Sequence, residues 1–136
     1  MSTSVKSIAV VTTRTLLGLL YVVFGLNFFF HFIPSPPPDP TSPAGIFLGG
    51  LFSSGYFFPF LKTLEVILGA LLIARLFVPL SLIVLMPISL NIFLFHALLA
   101  PDTVALSIVI LALHIYLAYA YRSYFAPLFI PKALPA

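Results

Sequence analysis

Residues 78–99 of the chain read VPLSLIVLMPISLNIFLFHALL, an almost unbroken apolar run that contains no Asp, Glu, Lys or Arg. A helix rises 1.5 Å per residue, and the hydrocarbon core of a bilayer is about 30 Å thick, so about 20 such residues suffice to cross it. The run is therefore predicted to be a transmembrane helix that ends at the membrane surface on both sides.

Three further apolar stretches of similar length flank this run, at 15–32, 59–77 and 104–125. The whole chain of 136 residues is 62% hydrophobic and only 7% charged, and a soluble domain of this size needs more polar surface. The prediction is an all-α integral membrane protein, with residues 1–136 forming one domain built as a four-helix transmembrane bundle.

The segment between the first two spans has a different character. Residues 33–43 hold a proline run that excludes a helix, and they are predicted to form a loop at the membrane surface. Residues 44–54 are apolar but too short to span, so we expect a short interfacial or re-entrant helix. Gly45, Gly49 and Ser53 repeat every four residues and share one face, which is expected to pack against the bundle.

Charged side chains predict the orientation of the spans. Three charges fall at or just inside one end of the predicted bundle, namely Asp39, Lys62 and Asp102, and five basic residues fall at the other end: Lys6, Arg14, Arg75, Arg122 and Lys132. Cytoplasmic loops carry the excess of Lys and Arg, so both termini are predicted to be cytoplasmic.

A cleaved signal peptide is the competing interpretation of the first stretch. It is disfavoured because the apolar run is long and no clear small-x-small site follows.

Strongly polar side chains inside the spans are the informative part of the sequence, since each ionisable one costs about 2.5–3.5 kcal/mol near the bilayer centre. Helical rise places six of them, from three helices, within about 10–12 Å of the extracytoplasmic surface. We expect them to converge on a ligand-binding pocket between the helices: Asn27, His31, Lys62, Glu65, Asn91 and His96.

Each of these residues also has a structural interpretation. Lys62 and Glu65 can neutralise each other, the asparagines can bond neighbouring helices, and a histidine near the interface costs little. His114 lies alone near the middle of the fourth span, where a neutral imidazole bonded across the bundle is favoured.

Metal and haem sites are disfavoured. His31 and His96 form a conceivable axial haem pair, and Glu65 could complete a metal site with them, but no two histidines have the i, i+4 spacing typical of a helical metal site. The absence of cysteine excludes disulfides and thiolate chemistry. No catalytic residues are predicted, and the six Lys and Arg residues are too scattered to indicate nucleic-acid binding.

A set of residues and short motifs between about Arg14 and Arg122 carries a family resemblance: Arg14, Gly18, Gly25-Leu26-Asn27, His31-Phe32, Gly55-Tyr56-Phe57-Phe58-Pro59, Lys62, Glu65, Gly69, Pro79, Pro87, Asn91 and His96. In these residues the chain resembles the DoxX-like family of small four-helix bacterial membrane proteins, which is related to the DoxD subunit of thiosulfate:quinone oxidoreductase.

This resemblance implies a bacterial inner-membrane protein associated with redox chemistry, often beside a partner protein that carries part of the reaction. Whether the chain catalyses a reaction is left open, and an accessory role without catalytic activity of its own is favoured. The six polar residues would then hold a quinone headgroup or another hydrophobic ligand, or would lie where a redox partner docks. Two alternatives remain open. The chain could be a structural or assembly subunit of a larger membrane complex, with lipid and other subunits as its partners, or a small-solute transporter or channel.

Overall fold

The computed structural model describes residues 3–136, which form five α-helices and no strand. They are α1 (Thr3–Phe30), α2 (Pro43–Ser53), α3 (Phe57–Ala74), α4 (Val78–Leu99) and α5 (Val104–Ala120). Four helical segments are long and apolar enough to cross a membrane, namely α1, α3, α4, and α5 together with the 3-10 turn Pro101–Thr103 that precedes it. The predicted all-α, four-span fold with a short helix between the first two spans is thus confirmed. The many exposed apolar side chains of the long helices fit contact with lipid.

Helix α1 begins well before residue 15, where the sequence placed the start of the first span, and Arg14 consequently lies inside the helix. The side chain of Arg14 is only 5% exposed. Its Nε donates to the carbonyl oxygen of Leu72 at 2.8 Å, and its Nη1 donates to the hydroxyl of Tyr121 at 3.4 Å. The last carbonyls of a helix lack partners and form its negative end, so this buried guanidinium caps α3.

The other helix ends follow from backbone conformation. Helix α3 ends at Ala74 rather than at residue 77 because Arg75 adopts a positive φ of 63°. Helix α5 ends at Ala120 rather than at residue 125, and two short 3-10 turns follow it. The Arg14 bonds to Leu72 and Tyr121 hold the ends of α3 and α5 beside α1 at one end of the bundle.

Replacing Arg14 by Met is expected to lower the free energy of unfolding by about 2 kcal/mol, because a hydrogen bond from a charged group is lost and the end of α3 loses its cap. The measurement is SDS-induced unfolding in mixed micelles. The exposed Arg122, which donates to the carbonyl of Tyr119 nearby, supplies the control. Its replacement by Met is expected to change stability by less than about 0.5 kcal/mol. Equal effects of the two changes would argue against a capping role for Arg14.

Helices α1 and α3 approach each other backbone to backbone. A Cβ added at Gly18 would lie 2.6 Å from the carbonyl oxygen of Gly69, and one added at Gly69 would lie 2.8 Å from that of Gly18. Small residues permit this approach in membrane helices, where van der Waals packing replaces the hydrophobic effect. The contact holds α3 directly beside α1, and a Cβ added at Gly25 of α1 would lie 3.2 Å from the carbonyl oxygen of Lys62.

Helix α2 packs through its aromatic rings instead of its small face. Phe47 contacts Phe95 of α4 with ring centroids 5.7 Å apart, and Phe52 contacts Phe58 of α3 at 6.2 Å. An added Cβ at Gly49 would meet nothing within 4 Å, and Ser53 is exposed. The prediction that the small face packs on the bundle was therefore wrong, because aromatic pairs offer far more contact area than glycine.

The start of α2 is organised by Asp39. Its Oδ1 accepts hydrogen bonds from the hydroxyl of Thr41 at 2.7 Å and from the Thr41 amide at 2.8 Å, and these bonds hold the pKa of Asp39 below its ordinary value of 3.8. The Asp39 carbonyl accepts from the amide and the hydroxyl of Ser42. The Ser42 oxygen in turn accepts from the amide of Gly45 at 3.0 Å and caps the helix.

Acidification is expected to loosen this turn. Because the pKa of Asp39 is lower in the folded state than in the unfolded state, its contribution to stability is fully present above pH 3.8 and is lost as the pH falls through the depressed value. The protection factor of the Gly45 amide in hydrogen exchange should fall over that range. In the Asp39→Asn variant it should be independent of pH there, and an unchanged pH dependence in this variant would refute the assignment.

Candidate functional site

The largest cavity occupies the end of the bundle where α2 and the proline loop lie. Its volume is about 820 Å³, and its wall includes residues of all five helices. The wall is mainly apolar, with Leu20, Phe24, Ile92, Phe95 and Leu106 among its residues. Site volumes of about 300–1,000 Å³ are usual for small-molecule ligands.

An ion pair borders this cavity. Lys62 Nζ lies 3.0 Å from Glu65 Oε2, three residues along α3. The Glu65 side chain is 3% exposed and that of Lys62 is 22% exposed. A buried carboxyl group needs a compensating partner, and the Lys62 ammonium supplies it at 3.0 Å while the stem of Lys62 lies along apolar surface.

A second cavity, of about 380 Å³, lies between α2, α3 and α4. Four of the six residues predicted as a ligand site border it together: Lys62, Glu65, Asn91 and His96. Pro87 also lines this cavity, one turn before Asn91. The expected convergence of polar side chains from α3 and α4 is therefore present in the structure, and Lys62, Glu65 and His96 border the larger cavity as well.

The two site residues predicted from the first span, Asn27 near the end of α1 and His31 just after it, lie outside these cavities. The side-chain oxygen of Asn27 accepts a hydrogen bond from the amide of Ile33 at 2.7 Å. His31 is exposed, has a positive φ of 53° and donates its amide to the carbonyl of Asn27. Both residues thus terminate α1 and turn the chain into the proline loop, and neither borders any of the cavities described here.

A groove of about 520 Å³ adjoins the ion pair on the opposite side of α2. It runs between the proline loop and the small face of α2, with Pro37, Pro38, Gly45 and Gly49 in its walls and Lys62 at its inner end. Lys62 therefore borders all three spaces, so that one charged group is shared by two cavities and a groove.

A buried hydrogen-bond chain that the sequence did not reveal crosses the bundle next to the largest cavity. His114 Nε2 bonds the carbonyl of Leu82 at 2.9 Å and His114 Nδ1 bonds the hydroxyl of Ser89 at 2.6 Å. The Ser89 hydroxyl also bonds that of Tyr21, which borders the cavity. His114 is thus bonded across the bundle, and the chain joins α1, α4 and α5.

Ser89 and Ser81 provide a matched test of this chain, since both are 0% exposed on α4. Ser89→Ala is expected to cost about 1–2 kcal/mol because Tyr21 and His114 each lose a buried partner. Ser81 Oγ has no hydrogen-bond partner among residues 3–136, so Ser81→Ala is expected to be neutral or stabilising. SDS unfolding of the two variants compares them, and a larger loss for Ser81→Ala would contradict the assignment.

Within residues 3–136, no group of three or more His, Asp or Glu side chains has a geometry that could hold a metal ion. Comparison of the chain with protein-family models, with curated proteins and with solved structures finds no match.

Proposed function

We propose that the protein is an accessory membrane subunit that binds a hydrophobic ligand with a polar head, of the quinone class, near the extracytoplasmic face. The observation that carries the proposal is the cavity of about 820 Å³ inside a lipid-facing bundle, with the Lys62–Glu65 pair in its wall. An apolar chamber that holds a few convergent polar groups is the usual form of a small-molecule site.

The chemistry of the site matches such a ligand. The Lys62 ammonium has three N–H donors and uses one of them for Glu65, so it can also donate to an oxygen of the ligand head. The Glu65 carboxylate can accept a proton or a hydrogen bond from the same head. The apolar body of the ligand would then extend along Phe95 and Ile92.

The redox association and the choice of quinone rest on the resemblance to the DoxX-like family alone. The proposed orientation rests on the charge distribution, since the basic residues favour cytoplasmic termini with the cavities toward the other side of the membrane, and the proposed bacterial inner membrane rests on the resemblance. Docking of a redox partner over α2 and the proline loop belongs to the same proposal.

The test compares two tryptophan variants on α4. Ile92 borders both cavities, so Ile92→Trp would fill ligand space, whereas Leu94 is exposed and borders none of the three spaces. Wild type, Ile92→Trp and Leu94→Trp are extracted in mild detergent, and the apolar small molecules and proteins that copurify are identified by mass spectrometry. We expect a quinone-type molecule or a redox subunit with wild type and Leu94→Trp, and its loss from Ile92→Trp. Only bulk phospholipid with all three would refute the proposal and favour a structural or transport role.

A further inference from the structure

Acidic groups gather around the largest cavity. The sequence contains three acidic residues in all, and Asp39, Glu65 and Asp102 all border this one space. Lys62 is the single Lys or Arg that borders it. Carboxylates only accept hydrogen bonds when they are ionised, so the charged part of the wall offers far more acceptors than donors.

Three hydroxyl groups of the wall already donate their hydrogen bonds to backbone carbonyl oxygens. The hydroxyl of Ser107 donates to the carbonyl of Val104 at 2.6 Å, that of Thr103 to Ala100 at 3.1 Å, and that of Ser42 to Asp39 at 2.6 Å. A hydroxyl has one proton and two lone pairs, so each of these groups can only accept from a ligand. Ser35, on the exposed loop, is left as a free hydroxyl at the rim.

The buried chain fixes the direction of the Tyr21 hydroxyl as well. The Leu82 carbonyl can only accept, so His114 Nε2 carries the ring proton and Nδ1 of the neutral imidazole accepts from Ser89. Ser89 has then used its proton and must accept from Tyr21. The Tyr21 hydroxyl therefore donates its proton to Ser89 and not to a ligand. Its oxygen can only accept a hydrogen bond from a ligand.

The ring proton of His96 is assigned from its hydrogen-bond partner in the same way. When the Thr103 hydroxyl donates to the carbonyl of Ala100, the bond of 2.8 Å between His96 Nδ1 and the Thr103 oxygen has its proton on Nδ1. In the neutral ring Nε2 is then an acceptor. Pro36, Pro38 and Pro101 in the wall contribute no backbone N–H donor.

We infer that this cavity selects an amphipathic ligand whose head group donates hydrogen bonds, a hydroxyl such as that of a phenol or a hydroquinone, over one that only accepts. A hydroxyl oxygen accepts from Lys62 while its proton satisfies Glu65 or His96. A quinone carbonyl or an ether accepts a hydrogen bond from Lys62 but has no proton to donate. The acceptor atoms of Glu65 and His96 are then left facing its lone pairs. The inference rests on the proposed function and deepens it by naming the chemistry of the head group.

Alkyl probes that differ in their head groups test the inference. Wild-type protein in lipid nanodiscs is titrated with 4-decylphenol and with 4-decylanisole, its methyl ether, and binding to empty nanodiscs is subtracted. Because a hydrogen bond to a charged or buried acceptor is at stake, the phenol is expected to bind about tenfold more tightly or better. Decylammonium and 2-decyl-1,4-benzoquinone complete the series as a cationic donor and a pure acceptor.

Two variants localise the effect. His96→Phe is expected to reduce the preference for phenol over ether severalfold, and His31→Phe, which changes a histidine outside the cavities, should keep it. Tighter binding of decylammonium than of the phenol would support the preference for a head group that donates hydrogen bonds and would identify that head group as an amine.

The opposing outcomes separate the inference from the proposed function. Equal binding of phenol and ether, or tighter binding of the benzoquinone, would overturn the inference and leave a ligand-binding subunit. Binding of none of the four probes would overturn both.

Discussion

Replacing Lys62 by Met is expected to lower the free energy of unfolding by about 3 kcal/mol, although the side chain is a surface-type residue near the end of its helix. The Glu65 side chain is only 3% exposed, and its Oε2 pairs with Lys62 Nζ at 3.0 Å. Removal of one member of a buried pair leaves an uncompensated charge in a medium of low dielectric constant. SDS unfolding in mixed micelles measures the loss.

The double variant Lys62→Met, Glu65→Gln is the matched control. A neutral amide no longer requires a cation, so the second change should restore much of the stability that the first removes. A single Lys62→Met variant as stable as wild type would contradict the ion pair, and so would a double variant whose loss equals the sum of the two single losses.

The second large effect is expected from Gly18→Leu, at about 3 kcal/mol, the upper end of the usual cost of overpacking. Even the first atom of a new side chain at this position would lie 2.6 Å from the Gly69 carbonyl, so α1 and α3 must separate. Their separation would also widen the cavity that lies beside them. Both SDS unfolding and copurification of ligand are expected to report the change.

Gly50→Leu supplies the control for this variant, because a Cβ at Gly50 meets nothing within 4 Å and a helix favours leucine over glycine. We expect Gly50→Leu to be neutral or stabilising. Equal losses from the two variants would show that the effect comes from leucine itself and not from the contact between the helices.

Much of the fold was predictable because the bilayer imposes a simple rule. A span must be long, apolar and internally hydrogen-bonded, and the sequence around Val78–Leu99 meets that rule without ambiguity. The meeting of Lys62 and Glu65 with His96 was predictable for a related reason. Polar side chains at one depth in neighbouring helices avoid lipid by turning toward a common interior.

The remaining features depend on atoms that helical periodicity does not locate. Asn27 lies at the right depth but is used by the turn after α1, where its side chain accepts from Ile33. Arg14 was assigned to the water side, yet the carbonyl of Leu72 gives it a buried partner. Tyr21 and Ser89 carry no sequence signal, since either residue is common in a span and only the packing brings them to His114.

The central claim, that an amphipathic ligand occupies the large cavity with its head at Lys62 and Glu65, is tested most directly by photolabelling. A 4-alkylphenol with a diazirine on its tail is irradiated with the protein in nanodiscs, and the labelled peptides are mapped by mass spectrometry. We expect saturable labelling of the cavity wall on α4 and α5, at Ile92 and Leu106, which unlabelled 4-decylphenol competes away and Ile92→Trp abolishes. Diffuse labelling of lipid-facing residues such as Leu94 and Ile115, without competition, would contradict the claim.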